Sequence, residues 1–303
     1  MAFVDNITYC GKNSFDFFSP ALFNNDIFSR FSPFDGIKNS MTLPNLTLSG
    51  HTVPDSCDFT PAGSITLDPR TLTVCAYKIN EKLCASDVEA SFLSERLRKG
   101  ANTPVGPEEF TSYLLDQLQK TIQNDMQNVL WNGNSGATAG ADFMEQCDGL
   151  ITMFGATAST VIELTGAAVT SSNVIAVLSN VYAAIPAKVK SSAYPVQIFA
   201  AQNVIDAYKL SQISLAGGIL PTGERALNFL GLELVPAPYM PASNIVAMDP
   251  RNVAIGTDLL SDMQTVNVVD TRATLAENAI RIAARWKFGV QYRVGAEIVW
   301  YSI

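Results

Sequence analysis

The sequence predicts an α+β fold built around one long helix and one long strand. Pro107 opens the helix, where proline costs no hydrogen bond, and apolar residues recur at helical spacing up to Leu130. The strand lies near the C-terminus, where apolar and polar residues alternate from Ile280 to Val294. From Leu150 to the start of this strand, short segments of helical and strand character follow one another. This order indicates one large mixed domain, or two that share a core.

The helix is predicted to span residues 107–131. Its apolar positions are Phe110, Leu114, Leu118, Ile122, Met126, Val129 and Leu130. Asn132-Gly133-Asn134 ends it, since glycine and asparagine favour the turn that follows a helix. At 1.5 Å per residue the helix is about 35 Å long, enough for the spine of a plate-shaped domain.

The C-terminal strand is predicted to have one apolar and one cationic face. The apolar face carries Ile280, Ile282, Ala284, Trp286, Phe288, Val290, Tyr292 and Val294. The other face carries Arg281, Arg285, Lys287, Gln291 and Arg293. We expect a bend or break near Gly295, because the run is longer than a usual strand.

The composition points to burial against other copies of the chain. Apolar residues make up 48% and charged residues 16% of the 303 residues, whereas a soluble monomer is about a quarter charged. A chain with so few charges covers its surface most simply in an assembly. The net charge of -8 argues against sequence-specific DNA binding, because an acidic surface repels phosphate.

The sequence shows no targeting or membrane-spanning segment, so we expect the protein in a cytoplasm. It contains no apolar run long enough to cross a bilayer, and residues 1–18 lack the features of a signal peptide. The cysteines are Cys10, Cys57, Cys75, Cys84 and Cys147. Their number is odd and no CxxC pair occurs, so we expect small buried apolar side chains rather than a disulfide framework.

Residues 1–50 are rich in phenylalanine but follow neither a helical nor a strand period. The rings in question are Phe15, Phe17, Phe18, Phe23, Phe28, Phe31 and Phe34. Such a segment is too aromatic for a solvated tail. It is either an irregular part of the main core or an extended arm whose rings dock on a neighbouring subunit. We favour the arm, because aromatic anchors are enriched in interfaces.

A β-hairpin is predicted after this segment. The strand-rich runs 65–67 and 72–79 flank the turn Asp68-Pro69-Arg70. Because a lone hairpin is marginally stable in water, a projecting one is expected to lie on the next subunit. A short helix over 86–97 follows. It ends in a basic cluster that is either solvated or paired with acidic groups of another subunit, formed by Arg96, Arg98 and Lys99.

The sequence contains no convincing catalytic, cofactor or metal site. His51 is the only histidine, which excludes an HExxH motif and makes a Ser-His-Asp triad improbable. The glycine-rich run 133–140 lacks the lysine of a phosphate-binding loop. Asp142, Glu145 and Asp148 could serve a cytoplasmic α/β enzyme, but no motif brings them together. We therefore predict a protein without enzymatic activity, cofactor or metal.

The order of these parts resembles a known family. Its order is arm, hairpin, long helix, mixed α/β region with a glycine-rich loop, and long C-terminal strand. The residues that carry the likeness are 129–134 with 148–150, then 230–238, 244–248 and 252–256, then 279–300. In this arrangement the chain resembles the major capsid proteins of tailed bacteriophages, which have the Hong Kong 97-like fold.

The resemblance implies a division of the chain into the parts of that fold. The N-terminal arm would be residues 1–50 and the E-loop hairpin region 51–98. The P-domain, with the spine helix and the long strands, would be 99–149 and 258–294. The α/β A-domain would be 150–257 and 295–303.

The resemblance also implies a structural function. Copies would form the pentamers and hexamers of an icosahedral phage shell that encloses double-stranded DNA. The alternative within the same fold is an encapsulin, the shell protein of a bacterial nanocompartment. Some family members cross-link a lysine to an asparagine of a neighbour, but nothing singles out Lys78, Lys82, Asn267 or Asn278 for that role.

The partners implied are further copies of the chain, a scaffolding protein, a portal and decoration proteins. DNA would be packaged without sequence specificity, and no membrane would be involved. The location would be the virion, after assembly in the host bacterial cytoplasm. The residues predicted to contact a neighbouring subunit are Phe15, Phe17, Phe18, Phe23, Phe28, Phe31, Phe34, Arg70, Tyr77 and Arg98.

Overall fold

The computed structural model describes most of the chain. The described residues are 7–9, 26–50, 52, 54–55, 57, 63–84, 107–137, 142–191, 195–215, 227–258, 266–271 and 279–303. Their helices are α1 (Asp26–Arg30), α2 (Pro107–Asn132), α3 (Leu150–Phe154), α4 (Val174–Ala184), α5 (Ala187–Lys190) and α6 (Gln202–Leu215).

The strands of the described residues follow in chain order. They are β1 (Ile7–Tyr9), β2 (Ser32–Phe34), β3 (Ser40–Leu43), β4 (Leu46–Ser49), β5 (Ser64–Leu67), β6 (Arg70–Thr73), β7 (Cys75–Cys84), β8 (Ile162–Thr165), β9 (Gln197–Ala201), β10 (Asn228–Phe229), β11 (Leu232–Ala237), β12 (Ile245–Met248), β13 (Val253–Thr257), β14 (Val266–Asp270), β15 (Ala279–Tyr292) and β16 (Val299–Ser302).

The long C-terminal strand β15 organises the first sheet. The strand order is β1-β14-β15-β13-β2, and β7 pairs with β15 as well. Residues 280–283 pair with both β14 and β7, so these two strands lie on opposite edges of β15. The predicted break after β15 is confirmed by a short 3-10 turn over Gly295–Glu297.

The predicted spine helix is confirmed as α2, which runs one residue further than expected. Its C-terminal half is buried through Ile122, Met126 and Trp131. The segment that follows folds back on the helix end, where Gly149 donates its amide to the carbonyl of Gly133 at 2.8 Å. A Cβ on Gly149 would come within 2.6 Å of the Val129 carbonyl, so only glycine permits this approach.

A second, mixed sheet contains the last strand of the chain. Its order is β10-β11-β9-β12-β16-β8. β11 runs parallel to β9, and β16 runs parallel to β8. The central strand β12 is buried along its whole length. One hydrophobic core reaches from this sheet to α2 and β15, because Phe199, Trp131 and Phe288 belong to the same cluster.

A two-stranded ribbon extends from the first sheet, and it differs from the predicted hairpin. β6 pairs with β3 and β5 pairs with β4. The amide of Asp68 donates to the carbonyl of Asn45 at 2.9 Å, which carries the ladder across the gap between the two strand pairs. The chain therefore continues through 68–69 instead of reversing there.

This pairing corrects the sequence prediction in two respects. The runs 65–67 and 72–79 do not pair with each other, because β7 pairs with β15 instead. Residues 40–49, predicted to belong to the arm, form the other side of the ribbon. Cross-strand apolar pairs select this register, since Leu46 lies opposite Leu67 and Leu48 opposite Ile65.

The cysteine prediction is also corrected. Cys75 and Cys147 form a disulfide across 72 residues of sequence, with Cα atoms 5.9 Å apart. Cys57 is a free, exposed thiol. No spacing pattern in the sequence indicates this pair, because only the fold brings the start of β7 next to the segment that follows α2.

Candidate assembly surface

The outer half of the ribbon carries large apolar side chains that no described residue covers. Leu46 and Leu48 on β4 are 56% and 58% exposed, and Ile65 and Leu67 on β5 are 67% and 62% exposed. Residues directly opposite each other lie on one face, and alternate residues of a strand share it. These side chains therefore form one continuous apolar surface, which we call the ribbon face.

Exposure of the ribbon face costs free energy. Full burial of a leucine or isoleucine side chain stabilises by roughly 1.5–3 kcal/mol, so covering the exposed part of the ribbon face gains roughly 5 kcal/mol per subunit. A two-stranded ribbon is marginally stable in water by itself. The ribbon face is therefore the candidate assembly surface, because a second surface over it would stabilise both partners.

The base of the ribbon, in contrast, is fixed to the body. It contributes to a small second core composed of Ile37, Leu43, Leu72, Val74 and Ala254. A Cβ on Gly289 would collide with the carbonyl of Thr73, so glycine lets the ribbon cross β15 at close range. The side-chain amide of Gln291 donates to the carbonyl of Thr71 at 3.0 Å. The base is thus anchored while the ribbon face points to solvent.

Two of the predicted contact residues lie in the core of the same subunit. Phe28 is 2% exposed and packs edge-on against Phe288, with ring centroids 6.0 Å apart. Phe31 is 3% exposed and lies 5.4 Å from the ring of Phe199. The expectation that these rings dock on a neighbour is therefore corrected. The short helix α1, which contains Phe28 and ends just before Phe31, directs both rings into the core of their own subunit.

Tyr77 is likewise part of the subunit core. It is 5% exposed and stacks on Trp286, with ring centroids 6.1 Å apart. Burial raises the pKa of its hydroxyl to about 12. No described residue hydrogen-bonds to this hydroxyl. The predicted role of Tyr77 as a contact with a neighbour is corrected, because strand alternation turns the ring toward α2.

The remaining predicted contacts are either partly exposed or outside the described residues. The guanidinium of Arg70 lies 4.0 Å from the ring centroid of Tyr292 at the ribbon base. Phe34 is half-buried beneath the guanidinium of Arg293, at 5.2 Å. For both, a contact with a neighbour stays a prediction. The predicted contacts outside the described residues are Phe15, Phe17, Phe18, Phe23 and Arg98.

The predicted cationic face of β15 is confirmed by burial. Arg281 and Arg285 are exposed, whereas Ile282, Ala284 and Trp286 are buried. The pairing with β7 puts Arg285 directly opposite Lys78. Like charges in this position are destabilising. The net charge of the whole chain is nonetheless -8, so acidic surface is available on any further copy.

The carboxylates considered for an enzyme stabilise the segment after α2. Asp148 accepts hydrogen bonds from the amide and hydroxyl of Ser135 at 2.8 and 2.7 Å. Asp142 caps the 3-10 turn over Phe143–Glu145. Burial, followed by the charge of Asp142, raises the pKa of Asp125. Within the described ranges no group of histidine, cysteine or carboxylate side chains could hold a metal ion.

The sequence signal for the ribbon face was present but was missed. Leu46-Thr47-Leu48 and Ile65-Thr66-Leu67 are two short alternations of the same kind. Read together, they predict strands that pair through one apolar face. The flanking residues hide this pattern, because Pro44 and Asn45 directly precede the first alternation and Asp68 and Pro69 directly follow the second.

No protein-family model matches the sequence, and no curated protein matches it. Solved structures do match over nearly the whole chain. A chain of the satellite phage P4 procapsid, in a structure that includes the size determination protein, has a TM-score of 0.65 at 11% identity, covering 98% of this chain and 93% of that one. The fold resembles that of phage capsid subunits.

Other capsids agree with this likeness. The capsid of an empty GTA particle matches with a TM-score of 0.60 at 14% identity, covering 99% of this chain and 94% of that one. The capsid of Myoviridae phage XM1 matches with a TM-score of 0.53 at 12% identity, covering 88% of this chain and 86% of that one.

Among the described helices none is long and apolar enough to span a membrane.

Proposed function

We propose that this chain is the major capsid protein of a tailed bacteriophage, with the Hong Kong 97-like fold. The ribbon face carries the proposal, because it is an uncovered apolar surface in a chain whose fold resembles phage capsid subunits. Copies assemble into pentamers and hexamers, which close into an icosahedral shell around double-stranded DNA.

In this proposal the ribbon formed by β3, β4, β5 and β6 is the E-loop. The E-loop then begins at β3, within the residues 1–50 that were predicted to form the arm. The P-domain comprises 99–149 and 258–294, around α2 and β15. The A-domain comprises 150–257 and 295–303, around the second sheet. The aromatic residues that precede α1 remain the proposed arm on a neighbour.

Shell formation follows from the contrast between an anchored base and an exposed outer ribbon. Each ribbon lies over an adjacent copy and buries the ribbon face there. In a closed ring of identical copies every subunit makes the same two contacts. Its own ribbon lies on one neighbour, and the ribbon of the other neighbour lies on it. Individual contacts can be weak, because each subunit is held at several places at once.

The proposed partners are a scaffolding protein, a portal and decoration proteins in addition to further copies. The P4 procapsid, which includes the size determination protein, is a precedent for an assembly partner in a similar fold. DNA is held without sequence specificity, as the negative net charge of the chain favours. Assembly takes place in the host bacterial cytoplasm and the product is the virion.

The proposal predicts that the purified full-length chain forms particles far larger than its own 32.6 kDa. Light scattering after size exclusion gives the mass, and negative-stain electron microscopy shows whether rings and shells are present. A chain that stays a single copy at high concentration and low salt contradicts the proposal. Uniform small shells from the chain alone, without any phage partner, favour the encapsulin alternative.

A further inference from the structure

The disulfide joins two parts of the fold that are far apart in sequence. Cys75 is the first residue of β7 and directly follows the base of the ribbon. Cys147 lies in the segment 142–149, which connects α2 to α3. The bond therefore ties the ribbon base to the end of the spine helix, across 72 residues of sequence.

Both cysteines are positioned by contacts that do not require the bond. Val74, next to Cys75, is 5% exposed in the ribbon-base core. The segment that contains Cys147 is held by the hydrogen bond from Gly149 to the Gly133 carbonyl and by the contacts of Asp148 with Ser135. The Cα separation of 5.9 Å lies within the usual range for a disulfide. Two reduced thiols would thus already face each other in the folded subunit.

The two cysteines differ in exposure. Cys75 is partly exposed, whereas Cys147 is 6% exposed. A small disulfide reagent therefore reaches Cys75 first. The thiolate of Cys75 attacks the reagent, releases one thiol and becomes a mixed disulfide. The thiolate of Cys147 then attacks the sulfur of Cys75 and releases the second thiol.

This exchange is balanced without any further reactant. Two protein thiols lose two electrons and two protons and form one disulfide. The reagent, a low-molecular-weight disulfide such as oxidised glutathione, gains them and becomes two thiols. A reducing cytoplasm holds the equilibrium on the thiol side, and an oxidising exterior moves it to the disulfide.

We propose that Cys75 and Cys147 form a redox clasp, open as two thiols during assembly and closed by thiol–disulfide exchange once the particle leaves the reducing cytoplasm. The timing rests on the proposed capsid function. While the clasp is open, the ribbon base is held by packing and hydrogen bonds without a covalent link, and it can adjust as the ribbon face settles on its neighbour. The closed clasp fixes the ribbon against the spine helix and makes the finished particle harder to unfold.

The test uses the full-length chain, assembled with dithiothreitol and then divided. One half stays reduced and the other receives oxidised glutathione. Alkylation followed by peptide mass spectrometry reports which thiols remain, and the urea midpoint of dissociation and unfolding reports stability. Cys57→Ser is the matched control, since Cys57 is an exposed thiol outside the clasp. Cys75→Ser and Cys147→Ser remove the clasp from either side.

For the wild type and Cys57→Ser, oxidation should protect Cys75 and Cys147 from alkylation and shift the urea midpoint upward. Neither clasp variant should show that shift, and both should assemble as the reduced wild type does. The proposal is overturned if both thiols still react after oxidation, or if the urea midpoint does not move. It is also overturned if the wild type does not assemble in dithiothreitol and assembles only after oxidised glutathione is added.

The same experiment separates the clasp from the capsid function. If the wild type never assembles, the proposed function fails. The alkylation pattern and urea midpoint of the single subunit then still decide whether the clasp closes. If a clasp variant does not fold, the reduced and oxidised wild type supply the comparison.

Discussion

Replacing Ile65 by aspartate is expected to abolish closure of the proposed shell and to leave the subunit folded. Ile65 is 67% exposed, so the subunit loses little packing and its unfolding free energy changes by less than about 1 kcal/mol. In the assembly the same side chain would lie against a neighbour. Burying an unpaired carboxylate there costs several kcal/mol, which is about the whole gain from covering the ribbon face.

Thr66→Asp is the control for this substitution. Thr66 is the adjacent residue of β5, is also exposed, and lies on the opposite face of the ribbon. It adds the same charge and should leave the particle yield within about twofold of the wild type. Sedimentation and negative-stain microscopy measure particle yield, and urea unfolding measures the subunit. Normal shells from Ile65→Asp would mean that the ribbon face is not an assembly surface.

Replacing Phe28 by alanine destabilises the subunit itself. Phe28 is 2% exposed and packs on Phe288 within the main core. Removing such a ring leaves a cavity and typically costs about 3–5 kcal/mol. Urea unfolding of the isolated subunit should show this loss, accompanied by poor recovery of soluble chain.

The comparison variant at this position is Phe28→Leu, which keeps most of the apolar volume. It should cost clearly less than the alanine variant, because the cavity is smaller. An interface anchor behaves differently, since its removal lowers particle yield without changing the stability of the single subunit. Unchanged unfolding of Phe28→Ala would therefore restore the earlier interpretation of Phe28 as part of an arm.

The elements that the sequence predicted well are those with a long local period. The helix from Pro107 needed only helical spacing, a proline at its start and glycine at its end. The strand from Ala279 to Tyr292 was visible because its apolar and cationic residues alternate over fourteen residues. In both elements the pattern repeats over many residues, so a few positions that depart from it do not hide it.

The parts that were missed depend on contacts between distant segments. The pairing of Leu46 with Leu67 joins two four-residue strands, which are too short to show a recognisable strand pattern in the sequence. Cys75 and Cys147 meet because the fold brings the start of β7 next to the segment that follows α2. Phe28 and Phe31 follow no period, and only docking of α1 on the core decides that they are buried in their own subunit.

The proposed capsid assembly depends most directly on the ribbon face. Electron cryo-microscopy of particles assembled from the full-length chain shows directly what covers it. We expect density for residues 46–48 and 65–67 to lie on an adjacent copy, with the leucine and isoleucine side chains enclosed between the two. Particles in which each ribbon folds back over its own subunit, or leaves these side chains in solvent, contradict the account.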